Sequence, residues 1–542
     1  MATRRRFLQA AGGLAGMASS RLAANVKHAR KPSPGLPPQP NIIVLMTDQE
    51  RYHTHWPAGW VESNLNFYNK LRRHGLTFHR AYTSASECAP SRAAMLTGRF
   101  APINRVARTL LWPGLPPATQ CANIGALLRD AGYYVAWKGK WHLSFPENVK
   151  PGAGNKWNSG DIRNFQRVYG FADWNPPDAG NAIKPLQPSV FGVFDGVATL
   201  GGGDPDNDGR YVHGPTPGAI RQTAGVEGGE SALRFISRAR DLQRPFFLFV
   251  SLVNPHDIGF FPDGWEAGGY RREEFANLDI DLPPNFTDDL STKPKIQAEA
   301  RAALDKAAPL SNTDAKRDYV RFYAHLHKVV DRHISSILEA LEEYGLTEKT
   351  IIIRLSDHGE LGLSHGMREK SYSAYEEVIH IPLVISNPVL FPEPVETRAF
   401  YSHVDLLPTL VELAGISQRV AHGVGRSIAP LIRDAATGVQ DSVLFSYDDV
   451  FGLPAGAPGA NLRALRKDDW TYAIYFGRDG GGVEYELYDL VTDPLQLKNL
   501  LHNSPPADIR SEWAALHEAL THKLVEAGNL PLDFPWPLAP AK

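Results

Sequence analysis

The sequence predicts an α/β fold, a mainly parallel sheet flanked by helices, followed by a smaller unit of antiparallel strands and one helix. Four apolar, branched runs each end in polar residues: Asn41 to Met46 before Thr47-Asp48-Gln49, Tyr133 to Trp137 before Lys138-Gly139-Lys140-Trp141-His142, Phe246 to Val253 before Asn254-Pro255-His256-Asp257, and Ile351 to Leu355 before Ser356-Asp357-His358-Gly359-Glu360. Lys316 to Tyr344 repeats Val320, Tyr323, Val330, Ile334, Ile337, Leu338 and Leu341 at helical spacing. From Asp441 the pattern changes to short strands and turns, Asp441 to Tyr447, Trp470 to Phe476, Gly480 to Gly482 and Tyr485 to Leu490, with a helix over about Pro506 to Ala527. Apolar runs without alternation suit strands covered on both faces, hence a parallel sheet. Ligands of such sheets sit beyond the carboxyl ends of the strands, so the four polar clusters should converge on one edge.

Length and composition, 542 residues with 43% hydrophobic and 21% charged, suit a globular chain with a sizeable core and a second unit. Residues 1–24 carry Thr3-Arg4-Arg5-Arg6-Phe7-Leu8-Gln9 and a mild Ala/Gly-rich apolar run to Met17. This looks like a twin-arginine export signal and implies a periplasmic or secreted protein. The run is too short and too glycine-rich to span a bilayer, and nothing later reaches transmembrane length. Its removal takes away four arginines and no acids, moving the formal net charge from -2 to -6, which excludes a general nucleic-acid binder. Residues 25–40, with the Pro/Lys/Ser stretch Lys31 to Pro40, read as a linker. Residues 41–440 then form the main domain and 441–542 a smaller one.

The two cysteines are Cys88 and Cys121. Two cysteines in an exported protein can pair, but the surroundings of Cys88 assign it another task. The stretch Glu87 to Arg99 reads ECAPSRAAMLTGR, with Pro90, Ser91 and Arg92 after the cysteine and Leu96-Thr97-Gly98-Arg99 downstream. This is similar to the signature of the type I sulfatases, in which C-x-P-S-R directs oxidation of the cysteine to formylglycine. The resemblance runs from about Asn41 to Leu500, where YELYDLVTDPLQLKNL (Tyr485 to Leu500) is similar to a stretch near the end of these enzymes. It implies the alkaline-phosphatase-like fold and hydrolysis of an organic sulfate ester, aryl or carbohydrate, with release of inorganic sulfate. It also implies a formylglycine-generating enzyme as a maturation partner, acting in the cytoplasm if the chain is exported folded. The chemistry agrees: a thiol attacks sulfate sulfur poorly, whereas a hydrated aldehyde offers one hydroxyl to attack and one whose deprotonation expels sulfate.

Asp48, Gln49, Asp357 and His358, with the modified Cys88, are the ligands the resemblance implies for one divalent cation. Each pair lies just past a strand end, so two strands present a carboxylate each to one hard ion. Many sulfatases have Asp-Asp and Asp-Asn at these pairs; Gln49 and His358 look more like the choline-sulfatase and phosphonate-monoester-hydrolase branch. An all-oxygen site argues calcium, and an imidazole ligand admits manganese or another transition ion, with magnesium a further alternative. Arg92, one turn beyond Cys88, is placed to hold the deprotonated nucleophile. Lys140 and His142 resemble the family's G-K-x-H element, Lys140 bridging nucleophile and sulfate and His142 bonding the hydroxyl that loses its proton. His256 and Lys370 match the positions that contact the sulfate and the leaving oxygen. A cation, an arginine, two lysines and imidazoles complement the charge that sulfuryl transfer spreads over oxygen. His213, His365, His380 and His403 lack such support.

Asp204-Pro205-Asp206-Asn207-Asp208-Gly209 opens like an EF-hand loop, but Pro215 stands where a bidentate Glu is required. Gly201 to Pro217 reads as an exposed loop. Substrate preference is expected in Pro151 to Gly229, Phe260 to Asn312 and the C-terminal domain. Two alternatives accompany the sulfatase reading: a phosphonate monoester or phosphodiester hydrolase, and an inactive relative that binds sulfated ligands because Cys88 is never oxidised.

Overall fold

Successive residues of the first apolar run face opposite ways: Ile42, Val44 and Met46 enter one hydrophobic core, Ile43 and Leu45 another. This strand, β1 (Asn41–Asp48), is therefore covered on both faces, as its unbroken apolar run predicts. The computed structural model describes residues 36–109, 114–145, 159–175, 208, 211–213, 230–266, 269–416, 423–448, 460–477, 482–532 and 534–539. The export-signal segment and most of the loop 151–229 lie outside the described residues.

The further strands of the main body are β2 (Gly75–Phe78), β3 (Ala81–Tyr82), β4 (Tyr134–Gly139), β5 (Asp173–Asn175), β6 (Phe246–Pro255), β7 (Thr350–Ser356), β8 (Leu383–Ser386), β9 (Val395–Thr397) and β10 (Tyr401–Ser402). Eight of them form one sheet in the order β5-β4-β6-β1-β7-β8-β2-β9, while β3 and β10 pair separately. Only β8 opposes the others, so the sheet is mainly parallel. The four strands that precede the polar clusters are neighbours, β4-β6-β1-β7, and their carboxyl ends form one continuous edge. At that edge β1 and β6 lose register: Met46 pairs with Ser251 but Asp48 with Pro255, a bulge that re-aims the ends of both strands. Gly139 closes β4 at φ 92°, and a Cβ there would meet the Ser251 carbonyl oxygen at 2.0 Å, so only glycine lets the chain turn this tightly.

Helices cover both faces. On one side lie α1 (Asn66–Arg73), and on the other α2 (Cys88–Thr97) and α3 (Ile124–Asp130). The first side is completed by α4 (Ala232–Ala239) and α5 (Thr313–Glu343), the second by α6 (Leu406–Leu413). The long helix α5 starts at Thr313, a turn before the apolar repeat, because the Asn312 side chain accepts the Ala315 N–H at 2.9 Å and caps it. Its Asp331 in turn accepts the N–H groups of Phe67 and Tyr68, satisfying the start of α1. The end of the stretch read as a linker is tied down: the Tyr133 hydroxyl donates to the Pro40 carbonyl, and Leu36 packs against the core. The stretch Gly201 to Pro217 corrects the sequence reading where it is described. Asp208, Tyr211 and Val212 are buried, and Asp208 accepts the Val253 and Asn254 N–H groups at 2.7 and 3.1 Å, holding the end of β6.

Beyond the main sheet, β11 (Ser442–Tyr447), β12 (Ala460–Lys467), β13 (Trp470–Gly477) and β14 (Glu484–Asp489) form an antiparallel meander. One face carries Leu444, Leu465, Ile474 and Leu487 against Leu516, Leu520 and Leu524 of α7 (Ala507–Glu526). The other carries Val443, Phe445, Ala464 and Tyr475 against Leu361, Met367, Tyr372 and Tyr375 of the main body. No helix among the described residues is long and apolar enough to cross a membrane. Cys88 and Cys121 are free thiols, as expected.

An ion pair also joins the second sheet to the main body. Arg466 of β12 donates to Glu376 at 2.9 Å, and His380 stands 3.2 Å from the same carboxylate. Burial works against the charge of Glu376, but Arg466 and His380 prevail and hold its pKa at about 2. A carboxyl depressed in the folded state stabilises above its unfolded pKa, and that contribution is lost as pH falls through the folded value. Glu376→Gln should therefore cost about 3 kcal/mol above pH ~5, with the gap to wild type closing between pH ~4.5 and ~2. Urea-unfolding midpoints across that range check it; a gap independent of pH contradicts the ion-pair account.

Candidate active site

The site is built where α2 meets the carboxyl edge of the sheet. All ten residues of α2 are buried, Cys88 is its first residue, and Gly98 closes it in the left-handed conformation at φ 63°. Asp48 ends β1, while Asp357 and His358 follow β7. One donor atom from each of Asp48, Cys88, Asp357 and His358 lies within 4.8 Å of the others, a group able to hold a metal ion. The Cys88 Sγ stands 3.2 Å from His358 Nε2 and 3.6 Å from Asp48 Oδ1.

Hydrogen bonds sort the oxygens of this cluster. Asp48 Oδ2 accepts from Arg92 Nη2 at 2.7 Å and from Lys140 Nζ at 2.5 Å, while Oδ1 faces the sulfur and His358. Asp357 Oδ2 accepts from Arg92 Nε at 3.0 Å, and its Oδ1 from the Gln49 and His358 N–H groups. His358 Nδ1 donates to the Gly359 carbonyl at 3.0 Å, which assigns the proton to Nδ1 and leaves the Nε2 lone pair toward the cluster. Two carboxylate oxygens, an imidazole nitrogen and the atom at Cys88 thus fit a divalent cation. Burial would raise the pKa of Asp48, but Lys140, His256 and Arg92 hold it well below the usual carboxylate range. Burial, then the Asp48 carboxylate, push the Cys88 thiol up to about 12, the reverse of what thiolate catalysis needs.

Two further predicted residues are held by hydrogen bonds of their own. Arg92 spends its fork on the two carboxylates, the Lys140 carbonyl at 2.9 Å and Ser251 Oγ at 2.8 Å rather than on Cys88. The planar guanidinium matches two carboxylates better than it matches one sulfur. Gln49, read as a cation ligand, gives its side-chain oxygen to Lys370 Nζ at 2.7 Å and its nitrogen to Glu360 and Glu369 at 2.6 and 3.1 Å.

The remaining predicted residues border the cluster. Lys140 Nζ lies 3.7 Å from the Cys88 sulfur. His142 and His256 are buried; burial first, then the Lys140 ammonium, hold both imidazoles well below their usual pKa, so they are neutral and able to accept a proton. Lys370 is buried too, yet the acidic groups around it, Cys88, Glu369 and Glu87 foremost, outweigh burial and hold its pKa above the usual lysine value.

The Sulfatase family model matches residues 40–416, and the model for the C-terminal part of N-sulphoglucosamine sulphohydrolase matches residues 364–525. The chain belongs to the sulfatase family. It is 26% identical to the ulvan-active sulfatase of Formosa agariphila over 91% of this chain and 82% of that one. Among solved structures it superposes on a 2-O GAG sulfatase with a TM-score of 0.64 at 21% identity, covering 91% and 93% of the two chains. On the phosphonate monoester hydrolase of Agrobacterium radiobacter the TM-score is 0.62 at 20% identity, covering 90% and 96%. The sulfatase is accordingly a hydrolase of organic sulfate esters, and its family implies a divalent metal and a formylglycine.

Sequence reasoning missed several residues that the sulfatase uses to build this site. Ser251 and Ser91 bind Arg92 and the Asp357 carbonyl, and the Tyr323 hydroxyl donates to the Gln49 carbonyl. His403, set aside from the sequence, lies 2.8 Å from the Asp357 carbonyl oxygen through Nε2 and supports that residue from outside the cluster. Glu360 and Glu369 flank predicted residues, and the only sequence signal for them was adjacency to His358 and Lys370.

Removing charge from the cluster gives a ranked test. Asp48→Asn and Asp357→Asn should each weaken divalent-metal retention roughly tenfold or more, and Gln49→Ala, which removes no formal charge, should weaken it less. Elemental analysis of purified variants decides the order. Equal loss in Gln49→Ala would contradict the ranking by charge.

Proposed function

We propose that this sulfatase cleaves a sulfated carbohydrate through a formylglycine made from Cys88, with a divalent cation held by Asp48, Gln49, Asp357 and His358. The observation that carries the reading is the gathering of the Cys88 sulfur, two carboxylates and an imidazole within 4.8 Å. Once oxidised and hydrated, residue 88 supplies two hydroxyls, one to attack sulfur and one whose deprotonation expels sulfate. The cation supplies positive charge to the nucleophile and the sulfate oxygens; calcium is the first choice, with manganese or magnesium as alternatives.

The chain's own residues do the rest. Arg92 and Lys140 hold Asp48 by one oxygen and leave the other for the cation. Lys140, beside the sulfur, is placed to bridge nucleophile and sulfate. Neutral His142 and His256 take up and return protons at the hydroxyls of residue 88 and at the sulfate. Lys370 contributes its ammonium to the leaving oxygen. The ulvan-active relative supports a carbohydrate ester. Burial of Cys88 at 2% exposure supports oxidation by a formylglycine-generating enzyme before folding, and the arginine motif of residues 1–24 then supports export of the folded chain to the periplasm or beyond. The division into residues 41–440 and 441–542 belongs to the same reading, supported by the second sheet beginning at Ser442.

Cys88→Ala and Cys88→Ser should both abolish turnover without unfolding the chain, since a lone hydroxyl cannot reform the aldehyde. The Cys88 peptide of active enzyme should weigh about 18 Da less than the unmodified one. Wild-type activity in either variant would end the formylglycine reading.

His358 in the cluster favours a second reading, a phosphonate monoester or phosphodiester hydrolase. Both a sulfate monoester and a phosphonate monoester bring one negative charge, so the site discriminates them poorly on charge alone. With one aryl leaving group throughout, kcat/KM should rank the sulfate first, the phosphonate or diester as a side activity, and the doubly charged phosphate monoester last. A phosphonate or diester rate about tenfold above the sulfate, roughly 1.4 kcal/mol of transition-state preference, would make the second reading the better one.

A further inference from the structure

Glu87 stands directly before the nucleophile position and takes no part in the chemistry above. It is buried, and it occupies the cap position of α2. An acid at a helix cap usually accepts the first N–H groups of that helix. Here the carboxylate is turned instead toward hydroxyls from three other segments. Glu87 Oε1 accepts the Ser371 hydroxyl at 2.8 Å and, at 3.5 Å, the Tyr447 hydroxyl of β11; Oε2 accepts Thr109 Oγ1 at 3.4 Å.

These contacts fix where the charge lies. Glu87 is bonded through the chain to residue 88, and its hydrogen bond to Ser371 sets it beside Lys370, the residue before that serine. The Lys370 ammonium registers the charge, since Glu87 is among the acids that keep it protonated. The hydroxyls solvate the carboxylate without cancelling its formal charge, and in a buried site of low dielectric that charge reaches further than it does in water.

A bound ester turns its sulfate to the cation, Lys140 and the imidazoles, and its leaving oxygen to Lys370. Groups on the leaving group next to the ester oxygen then come under the influence of Lys370 and Glu87 together. A hydroxyl suits both, and an ammonium is drawn to Glu87. A carboxylate or a second sulfate meets a like charge, while the nearest ammonium is already engaged at the leaving oxygen.

We propose that Glu87 is a specificity-determining residue whose charge favours sulfate esters with a neutral or cationic leaving group over those with a carboxylate or second sulfate beside the ester. The inference rests on the leaving-group role given to Lys370 above. Within the carbohydrate reading it names the substrate class, sulfated neutral or amino sugars rather than sulfated uronates or polysulfated units.

Three aryl sulfates of matched leaving-group pKa, bearing a neutral, a carboxylate or a trimethylammonium substituent, test it through kcat/KM on wild type, Glu87→Gln and Glu87→Asp. Wild type should favour the trimethylammonium ester over the carboxylate ester about tenfold or more. Glu87→Gln should reduce that ratio about tenfold, gaining on the anionic ester and losing on the cationic one. Glu87→Asp keeps the charge and should keep most of the ratio. Glu87→Ser is a second neutral variant should Glu87→Gln fold poorly. A structural role alone would lower all three rates together; that result, or a wild-type preference for the carboxylate ester, overturns charge selection. A sulfated hexosamine with an unsubstituted amine and a sulfated uronate extend the comparison to sugars. If both sugars are refused while the aryl ratio follows the charge at 87, charge selection stands and the carbohydrate reading falls. If sugars are cleaved and the ratio ignores residue 87, charge selection falls and the carbohydrate reading stands.

Discussion

Asp48 is wholly buried at the end of the central strand, and its two oxygens keep different company. A carboxylate taken out of water costs several kcal/mol unless cations and hydrogen bonds replace the solvent. Arg92 and Lys140 do so at one oxygen, leaving the other beside Cys88 and His358. Arg92 then reaches Asp357 after β7, the Lys140 carbonyl after β4 and Ser251 of β6. One guanidinium from α2 thus ties together the ends of all four central strands, which a lysine, a point charge without a planar fork, cannot do. Placement of the nucleophile is a consequence, since Cys88 begins the same helix one turn before Arg92.

The second sheet does more than follow the first. Its inner face packs on Leu361, Met367, Tyr372 and Tyr375, the segment that carries Lys370, and the Tyr447 hydroxyl of β11 lies 3.5 Å from Glu87, the residue before Cys88. Buried Glu486 of β14 binds the hydroxyls of Tyr375, Tyr475 and Tyr488, so a polar network crosses the boundary beside the apolar one. A segment with Glu369 and Tyr372 at positive φ needs such support, because those conformations are held only by their surroundings. The C-terminal part therefore acts on the site through the backbone that presents Lys370.

The architecture was legible in the sequence because its signals are local. Apolar runs ending in Asp48, Lys140, His256 and Asp357 mark strands whose ends carry chemistry, and the shared edge follows from the parallel pairing such runs imply. The start of α5 was missed by one turn because Asn312 is a cap, and caps leave no apolar period. Within the site, Cys88, Asp48, Asp357 and His358 came together as read. The partners of Arg92 and Gln49 did not, since a donor's choice among acceptors is settled by three-dimensional charge, and the deciding residues, Ser251, Glu360 and Glu369, look in sequence like any other serine or glutamate. Asp208 was misplaced for the same reason: nothing local separates a buried acid that accepts two N–H groups from an acid in a solvated loop.

Position 49 shows why the identity of a polar residue here matters more than its polarity. A carboxylate at this point would stand against Glu360 and Glu369, three acids in one buried site, and like charges at such distances suppress one another's ionisation. A neutral amide removes that conflict and adds direction, since its donor end suits the acids and its acceptor end the ammonium. The same exchange leaves Asp48 and Asp357 as the carboxylates of the cluster, with His358 beside them. A ligand set with one fewer carboxylate and one imidazole is less strictly a hard-ion site. The departures at 49 and 358 thus act on one cluster: the first puts an amide where a carboxylate would stand, and the second puts an imidazole at the centre.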